Sequence, residues 1–178
     1  MSDLYNQIVS ERGSFENLVA RLPGFRGYVD KSARRTADRM LRDHIADQLT
    51  ARINRFAQIE RKLLDNGGFS SMSKTANVKM KLQTFRDRVK AAAPGYSGFG
   101  DAVKVGPEEL ERIYSFDEAL IRYCDKFDEA LNTFKQNVTS KEGVDAAIDA
   151  LDSLTTEAND AFTLREDVLT NINKSLSA

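Results

Sequence analysis

One histidine, His44, and one cysteine, Cys124, are the chain's whole supply of imidazole and thiol. Nucleophilic catalysis needs a base within hydrogen-bond reach of the nucleophile, and nothing in the spacing pairs these two. His44 stands beside the apolar positions Leu41 and Ile45 and reads as a packed or half-exposed neighbour of a helical seam. Cys124 follows Tyr123 and reads as a small buried apolar residue. A lone cysteine excludes an internal disulfide and points to a reducing compartment. The glycine loop of a nucleotide-binding site, His-Glu-x-x-His and metal-binding Cys/His spacings are all missing. A di-iron bundle needs two Glu-x-x-His motifs, which one histidine cannot supply. No catalytic residue, metal site or cofactor is expected, and the chain reads as non-enzymatic.

The carboxylates come in adjacent pairs, Asp117-Glu118, Asp128-Glu129 and Glu166-Asp167. Neighbouring positions diverge by about 100° on a helix, so these pairs read as solvated surface. Asp145, Asp149 and Asp152 do share one helical stripe. Such a stripe could hold a hard divalent cation, although pairing with Lys and Arg of the first half is the favoured reading. Lys31, Arg35, Arg39 and Arg42 form the strongest basic face, suited to phosphate. Asp30, Asp38 and Asp43 interleave with it, and no base-reading motif accompanies it, so nucleic acid is disfavoured as a partner.

The elements that must position these residues are punctuated by a repeated turn. Pro23-Gly24-Phe25-Arg26-Gly27-Tyr28 recurs as Pro94-Gly95-Tyr96-Ser97-Gly98-Phe99. Around the two turns the spacing is helical. Over 3–22, Leu4, Ile8, Phe15, Val19 and Leu22 share a face, weakened at Gly13-Ser14. Over 29–66, apolar positions from Ala33 to Leu63 recur at steps of three or four until Asn66-Gly67-Gly68 stops the helix. Val78, Leu82, Phe85 and Val89 give a heptad over 70–93. Pro107 suits the first turn of a helix over 107–138, whose seam from Leu110 to Val138 is rich in aromatics and averages 3.5 residues per step. A last helix over 141–176 keeps its seam through Val144, Ile148, Leu151, Leu154, Ala158 and Ala161, with Arg165 as a polar intrusion. The expected fold is all-α, a single domain over 1–178. It is read as an antiparallel bundle of four long helices plus a short N-terminal helix, partly coiled coil.

In that bundle both turns lie towards one end, gathering Phe25, Tyr28, Tyr96 and Phe99 near Arg26, Arg34 and Arg35. Two readings stay open. The turns are helix-breaking corners whose aromatics plug the core, which is favoured, or they form an aromatic and basic docking site for a partner. The charge divides at the second turn: residues 1–93 hold 18 Lys+Arg and 10 Asp+Glu, residues 94–178 hold 8 and 17. Such asymmetry can mark a membrane or nucleic-acid surface; the favoured reading is a basic hairpin packed beside an acidic one. No apolar run approaches the ~20 residues that span a bilayer, and the first residues lack the features of a signal peptide. A cytoplasmic location is expected, including one peripheral to a membrane.

Gly24-Phe25-Arg26-Gly27-Tyr28 followed by Ala33-Arg34-Arg35-Thr36-Ala37-Asp38-Arg39-Met40-Leu41-Arg42 resembles a pattern in an uncharacterised family of bacterial helical-bundle proteins. Tyr96-Ser97-Gly98-Phe99 and the aromatic helix from Tyr114 share in that resemblance, which implies no activity or ligand. In helix and charge order the chain is also similar to the membrane-remodelling ESCRT-III and phage-shock-protein A families. The functional expectation is a helical scaffold or adaptor that binds a protein partner or itself. The alternative is a polymer at an anionic membrane surface, which the near-neutral first helix speaks against.

Overall fold

The computed structural model describes residues 3–10, 14–28, 31–91 and 106–175. These residues are all helical apart from turns, with no strand among them. Helices α1 (Asp3–Val9) and α2 (Ser14–Arg21) replace the single helix read over 3–22. At the end of α1 the Ser10 hydroxyl donates to Gln7 O at 2.9 Å, a side-chain bond that competes with the backbone for a helix carbonyl. The long helices are α3 (Lys31–Asp65), α4 (Met72–Ala91), α5 (Pro107–Ser140) and α6 (Val144–Ser175). The second aromatic turn, with Tyr96 and Phe99, lies outside the described residues.

The helix ends follow the residues that stop them. Gly67, at φ +84°, takes the left-handed conformation, and its N–H donates to Leu64 O at 2.9 Å. The Gly68 N–H donates to Leu63 O, also at 2.9 Å. This pair of bonds is the glycine-terminated cap that satisfies the last carbonyls of a helix. A 3-10 turn at Phe69–Ser71 then leads into α4. At the far end of α5, Lys141 (φ +63°) and Gly143 (φ +66°) reverse the chain, and Asn137 Nδ2 donates to Gly143 O at 2.9 Å.

Packing closes the four long helices into a ring in the order α3, α4, α6, α5. Side-chain pairs give the directions. Glu60 bonds Thr75 and Lys79 while Arg42 reaches Lys90 O, so α3 and α4 are antiparallel. Tyr123 reaches Glu157 and Asp117 reaches Arg165, so α5 and α6 are antiparallel too. Between the hairpins the register rises together. Arg52 pairs with Asp128, Arg55 with Asp128 and Asn132, and Asn66 with Val138 O. Lys74 pairs with Asp145, Lys81 with Asp152, and Arg88 with Glu166. Thus α3 runs parallel to α5, and α4 to α6. The expectation of antiparallel neighbours holds within each hairpin and not between them, because α4 and α5, consecutive in sequence, sit diagonally across the ring.

The core is built from the seams. Phe56, Phe116, Phe127, Phe134 and Phe162 are fully buried, with Phe56 and Phe134 stacked at 5.4 Å between centroids. The opposite charges of the two hairpins meet across their shared seams. Asp145, Asp149 and Asp152 accept from Lys74, Lys81 and the Ser71 hydroxyl, so the carboxylate stripe faces bases of the first half. Lys74 and Ser71 hold the Asp145 carboxyl below the usual range, the Ser71 hydrogen bond contributing most.

Candidate functional site

The first aromatic turn packs inward. Phe25 is 4% exposed and Tyr28 0%. Their rings join Phe15 and Tyr114 in a cluster in which Tyr28 stacks on Tyr114 at 5.3 Å and Phe25 meets Tyr28 edge-on at 5.9 Å. Gly27, at φ +73°, supplies the left-handed step that folds the turn onto α5. The Tyr28 N–H then donates to the Tyr114 hydroxyl at 3.0 Å. Burial pushes the Tyr114 phenol up, and the Tyr28 N–H partly offsets this.

Beneath the turn lies a chain of buried charges. The Tyr28 hydroxyl donates to Asp117. Arg165 donates from Nε to Asp117 at 2.6 Å and from Nη2 to Asp38 at 2.8 Å. The second oxygen of Asp38 accepts from Arg42 Nε at 2.8 Å, and Arg42 Nη1 donates to Lys90 O at 3.1 Å. Arg34 Nε donates to Tyr28 O at 3.1 Å. Asp117, Asp38 and Arg165 are 0%, 1% and 2% exposed, so a low dielectric surrounds the bonds among these three. Burial raises the Asp117 carboxyl above its ordinary range, against the opposing pull of Arg165 and the Tyr28 hydroxyl. The network ties the turn, α3, α4, α5 and α6 together at one end of the ring.

Of the expected docking residues, Phe25, Tyr28 and Arg34 are therefore interior, while Arg26 and Arg35 are exposed. Tyr96 and Phe99 fall outside the described residues. The basic face of α3 divides in the same way: Arg39 is exposed and Arg42 is turned inward. Sequence reasoning missed Asp38, Tyr114 and Asp117 as site members, and it took Arg165 only as an intrusion. Two signals were present. Arg34, Asp38 and Arg42 alternate in sign at steps of four beside an apolar seam, and Arg165 occupies a seam position.

The network has its donors and acceptors directed at one another, which suits holding helices together. The groove of about 260 Å³ between α4 and α6, lined by Met80, Phe85, Thr155 and Asn159 among others, includes no member of it. Cys124 is buried, and burial pushes its thiol up to about 12. Alkylation of Cys124 in the folded protein at pH 8 is expected to run at least about 100-fold slower than that of a free thiol. A rate near that of glutathione would contradict this. His44 is lowered by burial and by Arg21, and no hydrogen bond joins it to Cys124 among the described residues. Among the described residues no group of three or more His, Cys, Asp or Glu could hold a metal ion. No described helix is long and apolar enough to cross a membrane. Comparison with protein-family models, characterised proteins and solved structures returns no match.

Proposed function

We propose that the chain is a non-enzymatic helical scaffold or adaptor that binds a protein partner or a second copy of itself. It would do so as a four-helix bundle in which the heptad-spaced helices α4 and α5 each pack in coiled-coil fashion against their ring neighbours α3 and α6. One observation carries the reading: the charged side chains of the two hairpins are engaged with each other. Arg52, Lys81 and Arg88 meet Asp128, Asp152 and Glu166, and the buried network closes on itself. What the fold leaves for function is its outer surface. Arg26 and Arg35 are the expected docking residues that remain there, with Arg39 beside Arg35's face of α3. We assign the partner contact to these three.

The same pairing disfavours a polymer at an anionic membrane, since the basic hairpin turns many of its cations towards the acidic one. Light scattering across a hundredfold concentration range, with affinity capture of the intact chain, tests the scaffold reading. An oligomer or a stoichiometric complex weakened by Arg26→Glu/Arg35→Glu is expected. A monodisperse monomer that retrieves no specific partner would overturn it. Salt-sensitive co-sedimentation with anionic vesicles would replace it with the membrane reading.

A further inference from the structure

Two apolar features of the outer surface stand apart from the ring's own packing. Among the described residues Phe69 is the most exposed large hydrophobic side chain, at 70%, and Met80 follows at 58%. Phe69 stands on the 3-10 turn that joins α3 to α4, and the chain on both sides of it is pinned. The Gly68 N–H donates to Leu63 O, the Ser71 N–H to Gly68 O at 3.2 Å, and the Ser71 hydroxyl to Asp145 at 2.8 Å. The turn therefore holds a phenyl ring out in solvent.

Met80 marks the rim of the second feature, the groove of about 260 Å³ between α4 and α6. Two polar bridges bound it along the seam, Lys81 to Asp152 at 2.7 Å and Arg88 to Asn159 at 2.8 Å. Between them α6 turns Thr155 and Ala158 inward, side chains too short to close the gap to α4. The hydroxyls of Thr84, Thr155 and Thr156 each donate to the carbonyl four residues back, at 2.9, 2.7 and 3.1 Å. The hydroxyl donors of the walls are thus occupied, while Phe85 and Met80 offer an aromatic ring and a thioether to an apolar guest. A cavity of about 150 Å³ holds benzene, so one phenyl ring fits.

Phe69 does not reach its own groove, since Met80 and Phe85 lie 11 and 16 positions further on, roughly 17–24 Å along α4. Charge favours a second copy as the occupant. The last turns of α3, which lead into the Phe69 turn, expose Arg61 and Lys62 against one acid, Asp65. On α6 the face of Thr156 continues into exposed Asp149 and Asp160, seven positions before it and four after. Asp149 shares Lys74 with Asp145 at the long distance of 3.8 Å. We propose that Phe69 of one copy inserts into the α4–α6 groove of a second copy, with Arg61 and Lys62 facing Asp149 and Asp160. The two patches differ, so the contact is head-to-tail, and each copy carries one knob and one groove. This contact rests on the self-association half of the scaffold reading and lies at the far end of α3 from Arg35 and Arg39.

Light scattering of the full chain over a hundredfold concentration range tests it. Phe69→Glu blocks the knob and Met80→Glu the groove, and both positions are exposed, so neither change disturbs the core. Each variant alone is expected to stay monomeric. Their equimolar mixture is expected to form a 1:1 dimer and nothing larger, because it joins one intact groove to one intact knob. Phe69→Ala should weaken association at least about tenfold, the loss of a buried aromatic anchor. Thr84→Arg, also exposed on the groove wall, serves if Met80→Glu folds poorly. A wild-type chain that stays monomeric, or a mixture of the two variants that does, would overturn the contact. Assembly lost with Arg26→Glu/Arg35→Glu and kept with Phe69→Glu would overturn it too, and would leave the scaffold reading standing.

Discussion

Arg165→Met should destabilise the chain by about 3–5 kcal/mol, the usual loss when one partner of a buried charge network is removed. Arg165 bridges Asp38 and Asp117, and all three are at most 2% exposed. Without it, among the described residues Asp117 is left with the Tyr28 hydroxyl and Asp38 with Arg42. Chemical denaturation measures the loss. In a background of Asp38→Asn/Asp117→Asn the same substitution should cost far less, because the charges it strands are gone. Equal cost in both backgrounds would assign the effect to packing.

The deficit should also depend on pH. Burial raises the folded-state pKa of Asp117 above its ordinary 3.8, so the folded protein takes up this proton before the unfolded chain does. The contribution of the neutral form is fully present below 3.8 and is lost as pH rises through the folded value. Tyr28, Arg165 and Asp38 are the groups that bear on this carboxyl. Removing Arg165 takes away its main opposing charge and moves the folded value higher still. The Arg165→Met deficit should therefore shrink as pH falls from neutral through the raised folded value, and a deficit that grows on acidification would contradict the assignment.

Gly27→Ala is the second large effect, about 2–4 kcal/mol. Left-handed backbone costs a residue with a Cβ roughly 1–2 kcal/mol. The remainder comes from contact, since a methyl at Gly27 would run into the Tyr114 hydroxyl and the Phe15 ring and displace the acceptor of the Tyr28 N–H. Gly24 separates the two causes. It has φ +85°, yet a methyl there would meet only Met40 Cε at 3.8 Å. Gly24→Ala should then show the backbone cost alone. A double-mutant cycle with Tyr114→Phe tests the contact: coupling near zero between Gly27→Ala and Tyr114→Phe would sink it.

The doubled turn was visible as a motif, but its role was not. Spacing alone leaves Phe25 and Tyr28 free to plug a core or to present a docking surface. The stack on Tyr114 and the bond from Tyr28 to Asp117 join residues about ninety positions apart, and both depend on how α5 lies against α3. Asp117 shows the limit most clearly. As half of the pair Asp117-Glu118 it reads as solvated surface, and in the fold it is completely buried. Pair spacing carries no information about which member of a pair turns inward to meet partners from other helices, as Asp117 meets Tyr28 and Arg165.

The sequence by itself determined the all-helical character of the chain, through apolar positions three and four residues apart, and it determined where α3 stops, through Gly67-Gly68. It also held the opposite charge of the two halves. Only the tertiary structure decided the order of helices around the ring, the parallel alignment of the hairpins and the inward turn of Asp38, Arg42, Asp117 and Arg165. The physical reason is that helix periodicity is a local property of one segment's backbone. The ring order depends on which seams meet, and a buried ion pair is stable only when partners from several helices arrive together.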